Sequence, residues 1–229
     1  MAGAVLAEDA GPFVRFLRWC GMALVVAGPL IVLATLLHPS RETAESIIAS
    51  EVRLIAAHIL FTLYSLLVLL GLPGLYAAQR GGMGRLGLAG FLTAFSGTYL
   101  IPVTGYFGFL APVLARQSPD VLDAISQYSP VVVTNGLAAI CFIAGYAIFG
   151  IAMTKTVTLP RLSGVLVAVG GPAHLLGWGV SQLVSTAAWV VAILGALSLA
   201  AGLAWPGYLL WQAPQPHISD PSTKGRQPL

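Results

Sequence analysis

The stretch Leu54–Gln79, LIAAHILFTLYSLLVLLGLPGLYAAQ, decides the class of this chain. It contains no Asp, Glu, Lys or Arg, and at about 1.5 Å of rise per residue it outreaches a hydrocarbon core of roughly 30 Å. A polar stripe accompanies it at helical spacing: Glu51 just upstream, then His58, Thr62 and Ser65. Hydrocarbon offers such a stripe no partner, so it is expected to turn towards other helices.

Composition extends that reading to the whole chain. Residues AVILMFWYC make up 57% of the 229 and only 8% are charged, with a mean hydropathy of +0.87. A water-facing domain of this size needs far more charged surface, so the composition implies a polytopic, all-α integral membrane protein whose surroundings are the lipid bilayer. The net charge of +3 comes from basic residues in short loops, a topology signal, and no nucleic-acid partner is expected. Cys20 and Cys141 sit at different expected depths and form no C-x-x-C motif, so both read as packing residues. The N-terminus lacks a cleavage signature, since Glu8 and Asp9 precede Arg15 and Arg18 and no A-x-A site follows the first apolar run.

Six spans are expected, at about 19–37, 54–79, 86–111, 130–153, 160–180 and 183–205. Phe13, Phe16 and Trp19 interleave with Arg15 and Arg18 as a headgroup-level anchor ahead of the first span, which contains Pro29. Arg80-Gly81-Gly82 reads as the turn after span two. Pro102, Gly105, Gly108 and Pro112 interrupt the second half of span three. Ser118-Pro119-Asp120 reads as the start of a short surface helix, and Ser129-Pro130 repeats the signal for span four. Ser181 and Gln182 are expected to separate spans five and six. Residues 1–211 thus form one six-helix domain, and the proline-rich residues 212–229 a disordered cytoplasmic tail.

Basic residues orient the chain. With the N-terminus inside, Arg15, Arg18, Arg80, Arg85, Lys155, Arg161, Lys224 and Arg226 are cytoplasmic, against Arg41, Arg53 and Arg116 outside. This bias predicts both termini inside. A weak internal repeat at an offset of 76 aligns RLGLAGFL (85–92) with RLSGVLVA (161–168), His58 with Thr134 and Thr98 with His174. It suggests related hairpins of spans two-three and four-five.

No Asp, Glu, Lys or Arg lies deep in a span, which argues against a carboxylate proton relay. Phosphate-loop, His-Glu-x-x-His and G-x-S-x-G motifs are absent. Histidine remains. His38, His58 and His174 all fall towards the outer side, and Asn135 and Tyr99 lie at similar depth. His58, His174, Asn135 and Tyr99, with His38 at the rim, form the candidate ligand-binding cluster. In one alternative, His58 and His174 are axial ligands of a b-type haem held between facing helices. In another, His38, His58 and His174 bind a transition metal. In the plainest, the imidazoles hydrogen-bond to neighbouring helices and hold the bundle together.

The landmarks LLHP (36–39), the run from Ala56 to Ala77 closing in LLGLPGLYA, and LPRLSG (159–164) carry a resemblance. With them the chain resembles a loose group of uncharacterised bacterial six-transmembrane-helix proteins with no established activity. The resemblance implies topology and a bacterial inner-membrane location, and carries over no site residue. The functional expectation is a polytopic membrane protein, non-enzymatic, that binds a small or lipophilic ligand or serves as an accessory subunit beside other membrane subunits or copies of itself. The rival is a haem- or metal-binding redox protein.

Overall fold

The computed structural model describes residues 10–212, and among them every regular element is helical. In chain order these are α1 (Ala10–Leu37), α2 (Ala44–Ala49), α3 (Glu51–Gly105), α4 (Ala111–Gln117), α5 (Pro119–Gln127), α6 (Ser129–Thr154), α7 (Arg161–Leu183) and α8 (Trp189–Trp211). Short 3-10 turns, Tyr106–Phe109 and Thr186–Ala188, precede α4 and α8. Five segments are long and apolar enough to cross a membrane. The expected tail at 212–229 lies outside the described residues except for Gln212, as do residues 1–9.

Helix α3 folds back on itself. Its 55 residues would reach about 80 Å if straight, far beyond a bilayer core. Gly84 breaks the helical dihedrals with φ 58° and ψ −158°, where a side chain would be strained. Tyr76 and Phe91 then stack with ring centroids 4.8 Å apart. Farther along, Glu51 forms an ion pair with Arg116, just past the other end. Both pairs are centred near Gly84, so the two arms, 51–83 and 85–105, run antiparallel. Arg80, Gly81 and Gly82, expected to turn, remain helical. Sequence alone does not separate these glycines from Gly84, the one with positive φ.

The helices close into a ring. α1 packs on α3, α3 on α6, α6 on α7, α7 on α8, and α8 returns to α1. Close approach at each contact depends on a missing Cβ: at Gly71 against Leu24, Gly90 against Phe149, Gly150 against Ala168, Gly170 against Leu199, and Gly21 against Gly207. Small residues permit this backbone-to-backbone packing where no hydrophobic force draws helices together. The ring is filled by Leu24, Leu72, Leu75, Tyr146, Phe149 and Leu203. Its outside carries exposed Leu33, Leu63, Leu66, Leu92, Val133 and Leu194, an apolar surface much larger than a water-soluble monomer exposes.

The two ends of the bundle differ. At the Gly84 end, Gln79 is buried and accepts a hydrogen bond from the Thr156 hydroxyl at 2.8 Å. At the opposite end the second arm of α3 continues helically through Pro102, stops at Gly105 and tightens into the 3-10 turn. Ile47, Leu54, Ala111, Ala115 and Leu122 form a small separate core under α2, α4 and α5.

The α7–α8 link also lies elsewhere than expected. Ser181 and Gln182 stay in α7, and the chain turns after Leu183. Their polar groups have other uses: Ser181 Oγ donates to the Trp178 carbonyl at 2.7 Å, and the Gln182 side chain bonds the backbone at Ser40 and Glu42.

Candidate functional site

The end opposite Gly84 holds a half-open cavity of about 390 Å3, a volume ordinary for a small-molecule site. Its walls come from α1, both arms of α3, α6 and α7, and its cover from the α2, α4 and α5 segments. Glycine shapes one wall. A Cβ on Gly108 would overlap the His58 imidazole, so only glycine lets the 3-10 turn lie flat on that ring.

His38, His58, His174 and Asn135 all line this cavity. Tyr99 does not: it is 57% exposed, on the outside of the bundle. Asn135 is itself exposed, while His38 and His174 are buried. His217 lies outside the described residues.

The imidazoles connect through aromatic neighbours. His38 meets His58 edge-on with centroids 5.4 Å apart, and it also touches Phe61, Trp178 and Trp189. Phe61 reaches His174 at 6.2 Å. Among the described residues no ring contact joins His58 directly to His174, and His58 is flanked instead by His38, Gly108 and Phe109. Nor, among the described residues, do three His, Cys, Asp or Glu side chains converge on a metal-sized point, so His38, His58 and His174 do not make a tridentate donor set.

Two of the rings are tied to backbone. His174 Nδ1 lies 3.1 Å from the Ala192 carbonyl, and His38 Nδ1 lies 2.9 Å from the Pro39 carbonyl. A carbonyl only accepts, so both Nδ1 atoms carry the proton. His38 Nε2 is directed at Glu42 Oε1, 3.6 Å away. His58 differs, because its Nε2 is buried without any hydrogen-bond partner.

The buried Tyr64 hydroxyl shares that condition. Its polar neighbour Tyr146 is bonded to Thr98 at 2.8 Å, and the two phenols lie close together without meeting hydrogen-bond geometry. His58 Nε2 and Tyr64 Oη are the two buried side-chain nitrogen or oxygen atoms, among the described residues, that lack a partner, and both residues line the same cavity. An unmet buried polar group costs about 1–3 kcal/mol, so two beside one space are a demand for something that fills it. Six residues separate them, about 9 Å of helical rise.

Comparison with protein-family models, curated proteins and solved structures finds no match. The site therefore has to be read from its own geometry.

Sequence reasoning did not single out Tyr64, Glu42, Asp123, Trp178 or Gln182, all of which line the cavity. Tyr64 carried a signal, since a phenol mid-span needs a hydrogen-bond partner. Glu42 and Asp123 lie in connecting segments that only the fold brings over the cavity mouth.

Proposed function

We propose that this chain is a bacterial inner-membrane protein that holds a small lipophilic ligand in the cavity lined by His38, His58, Asn135 and His174. Counting the α3 hairpin as two crossings gives six, and the positive-inside bias of the loops puts both termini in the cytoplasm. What carries the reading is the coincidence of the two unpartnered buried atoms, His58 Nε2 and Tyr64 Oη, on one cavity. A ligand with a polar atom for each, and an aromatic or aliphatic body against Phe61, Phe142 and Trp178, satisfies both groups and fills the space.

The test compares the purified protein with Ala139→Trp, a substitution in the cavity wall that fills the space from α6. Organic extracts of both, taken from mild detergent, are analysed by mass spectrometry. A lipophilic compound in near-stoichiometric amount with the wild type and missing from a folded Ala139→Trp protein supports the reading. Identical extracts together with identical thermal midpoints overturn it.

A further inference from the structure

The charges around the cavity narrow the ligand further. No Lys or Arg lines it, and its two formally charged lining residues are Glu42 and Asp123, both acidic. Three basic residues belong to this end of the bundle, and they lie elsewhere. Arg116 is paired with Glu51, Arg41 donates to the Ser181 and Val184 carbonyls, and Arg53 is exposed on α3. The walls also carry aromatic rings: Phe61, Phe107, Phe142 and Trp178. Such a space disfavours a carboxylate or phosphate, which would meet two carboxylates and neither Lys nor Arg. It suits a positive charge near the mouth, favoured by the carboxylates and by aromatic faces.

Hydrogen bonding points the same way. His58 Nε2 has no hydrogen-bond partner from the protein, and its ring meets His38 edge-on and Phe109 at a tilt. A neutral imidazole has one ring nitrogen that donates and one that accepts, and an ammonium group offers up to three N–H donors to the accepting one.

We propose that the cavity selects a lipophilic organic cation, an amine whose ammonium group is drawn to the Glu42 and Asp123 carboxylates and whose aromatic or aliphatic part packs against Phe61, Phe142 and Trp178. The inference rests on the ligand-site reading above and adds the sign of the ligand's charge.

The experiment uses three probes of one shape: 4-phenylbutylamine, 4-phenylbutanol and 4-phenylbutyrate. Binding to the full chain in a neutral detergent is followed by quenching of tryptophan emission, since Trp178 lines the cavity. The pH is 8, where an ordinary imidazole is neutral and the amine remains charged. Ala139→Trp, which fills the cavity, controls for partitioning into the micelle. The amine is expected to bind about tenfold tighter than the alcohol, with the butyrate weakest. Glu42→Gln and Asp123→Asn each lower the amine's affinity about threefold and together about tenfold, leaving the alcohol unchanged. Raising the salt weakens the amine alone. Both residues are exposed, so neither variant threatens folding.

Equal affinity for amine and alcohol, both lost in Ala139→Trp, overturns the charge inference and leaves a ligand cavity standing. Tightest binding by the butyrate overturns it too. Failure of all three probes, or binding that survives Ala139→Trp, removes the support for the cavity reading itself.

Discussion

The two ends of this bundle are built from the same residue types and behave in opposite ways. At the Gly84 end, glycines place backbone against backbone and buried polar groups are paired, as with Gln79 and Thr156. At the other end, the glycine at 108 faces an imidazole, a helix gives way to a 3-10 turn, and two buried polar atoms have no partner. One end is closed by packing. The other holds a shaped space whose polar groups are left open. The contrast teaches that a glycine or a buried hydroxyl takes its meaning from what it faces.

The largest effect should come from the closed end. A Cβ built on Gly90 falls 2.5 Å from the Phe149 backbone nitrogen. Backbone in a neighbouring helix does not move aside cheaply, so Gly90→Val is expected to cost about 3 kcal/mol. Gly136→Ala, with nothing within 4 Å, should cost nothing through contacts. Thermal unfolding in detergent compares them, and a Gly90→Val midpoint equal to wild type would break the description of this end.

Next comes the polar tie. Gln79 is 1% exposed, donates to the Leu75 carbonyl at 3.2 Å and accepts from Thr156 at 2.8 Å. Thr156→Val keeps the shape and strands the amide oxygen, a loss of about 1–2 kcal/mol. Pairing it with Gln79→Leu should recover part of that loss, because no polar group is then left unmet. If the double variant is instead as unstable as the two singles summed, the hydrogen bond is not what Thr156 contributes.

Gly108→Ala tests the same residue type at the open end. The added methyl overlaps the His58 ring, but that ring borders a cavity and can swing into it. About 1 kcal/mol of destabilisation is expected, well below Gly90→Val, together with weaker ligand binding. Equal losses at Gly90 and Gly108 would mean that the two ends are packed alike.

How much of this was written in the sequence follows from range. Local signals were legible: Pro119 opens α5, and the apolar run at 130–153 falls within α6. Boundaries set by distant partners were not. Ser181 and Gln182 read as a turn because they are polar, yet both stay in a helix, Gln182 bonded to Ser40 and Glu42 and the Ser181 hydroxyl to the Trp178 carbonyl. Depth along the helices was enough to group His38, His58, His174 and Asn135, which line one cavity. It was not enough for Tyr99, since depth says nothing of which way a residue faces. Tyr64 was the converse case, a single phenol in an apolar run whose hydroxyl could have been matched from sequence by any neighbour. Only the packing reveals that Tyr146 donates to Thr98 and that Tyr64 is left without a partner in hydrogen-bond geometry.

Tyr64→Phe is the smallest expected change in stability and the sharpest use of the comparison. At the closed end, deleting a polar group removes a hydrogen bond and strands its partner. At the open end the Tyr64 hydroxyl has no partner to strand, and its desolvation is uncompensated. Removing it while keeping the ring should leave the unliganded protein unchanged or stabilise it by up to about 1 kcal/mol. The same variant should bind the ligand more weakly, by a few-fold, if the hydroxyl meets a ligand atom. Stability and affinity then move in opposite directions, an outcome that a merely structural tyrosine does not give. Thermal midpoints with and without 4-phenylbutylamine measure both. A clear loss of stability in the absence of ligand would mean that Tyr64 has a partner within the bundle, and the open end would lose one of the two atoms that define it.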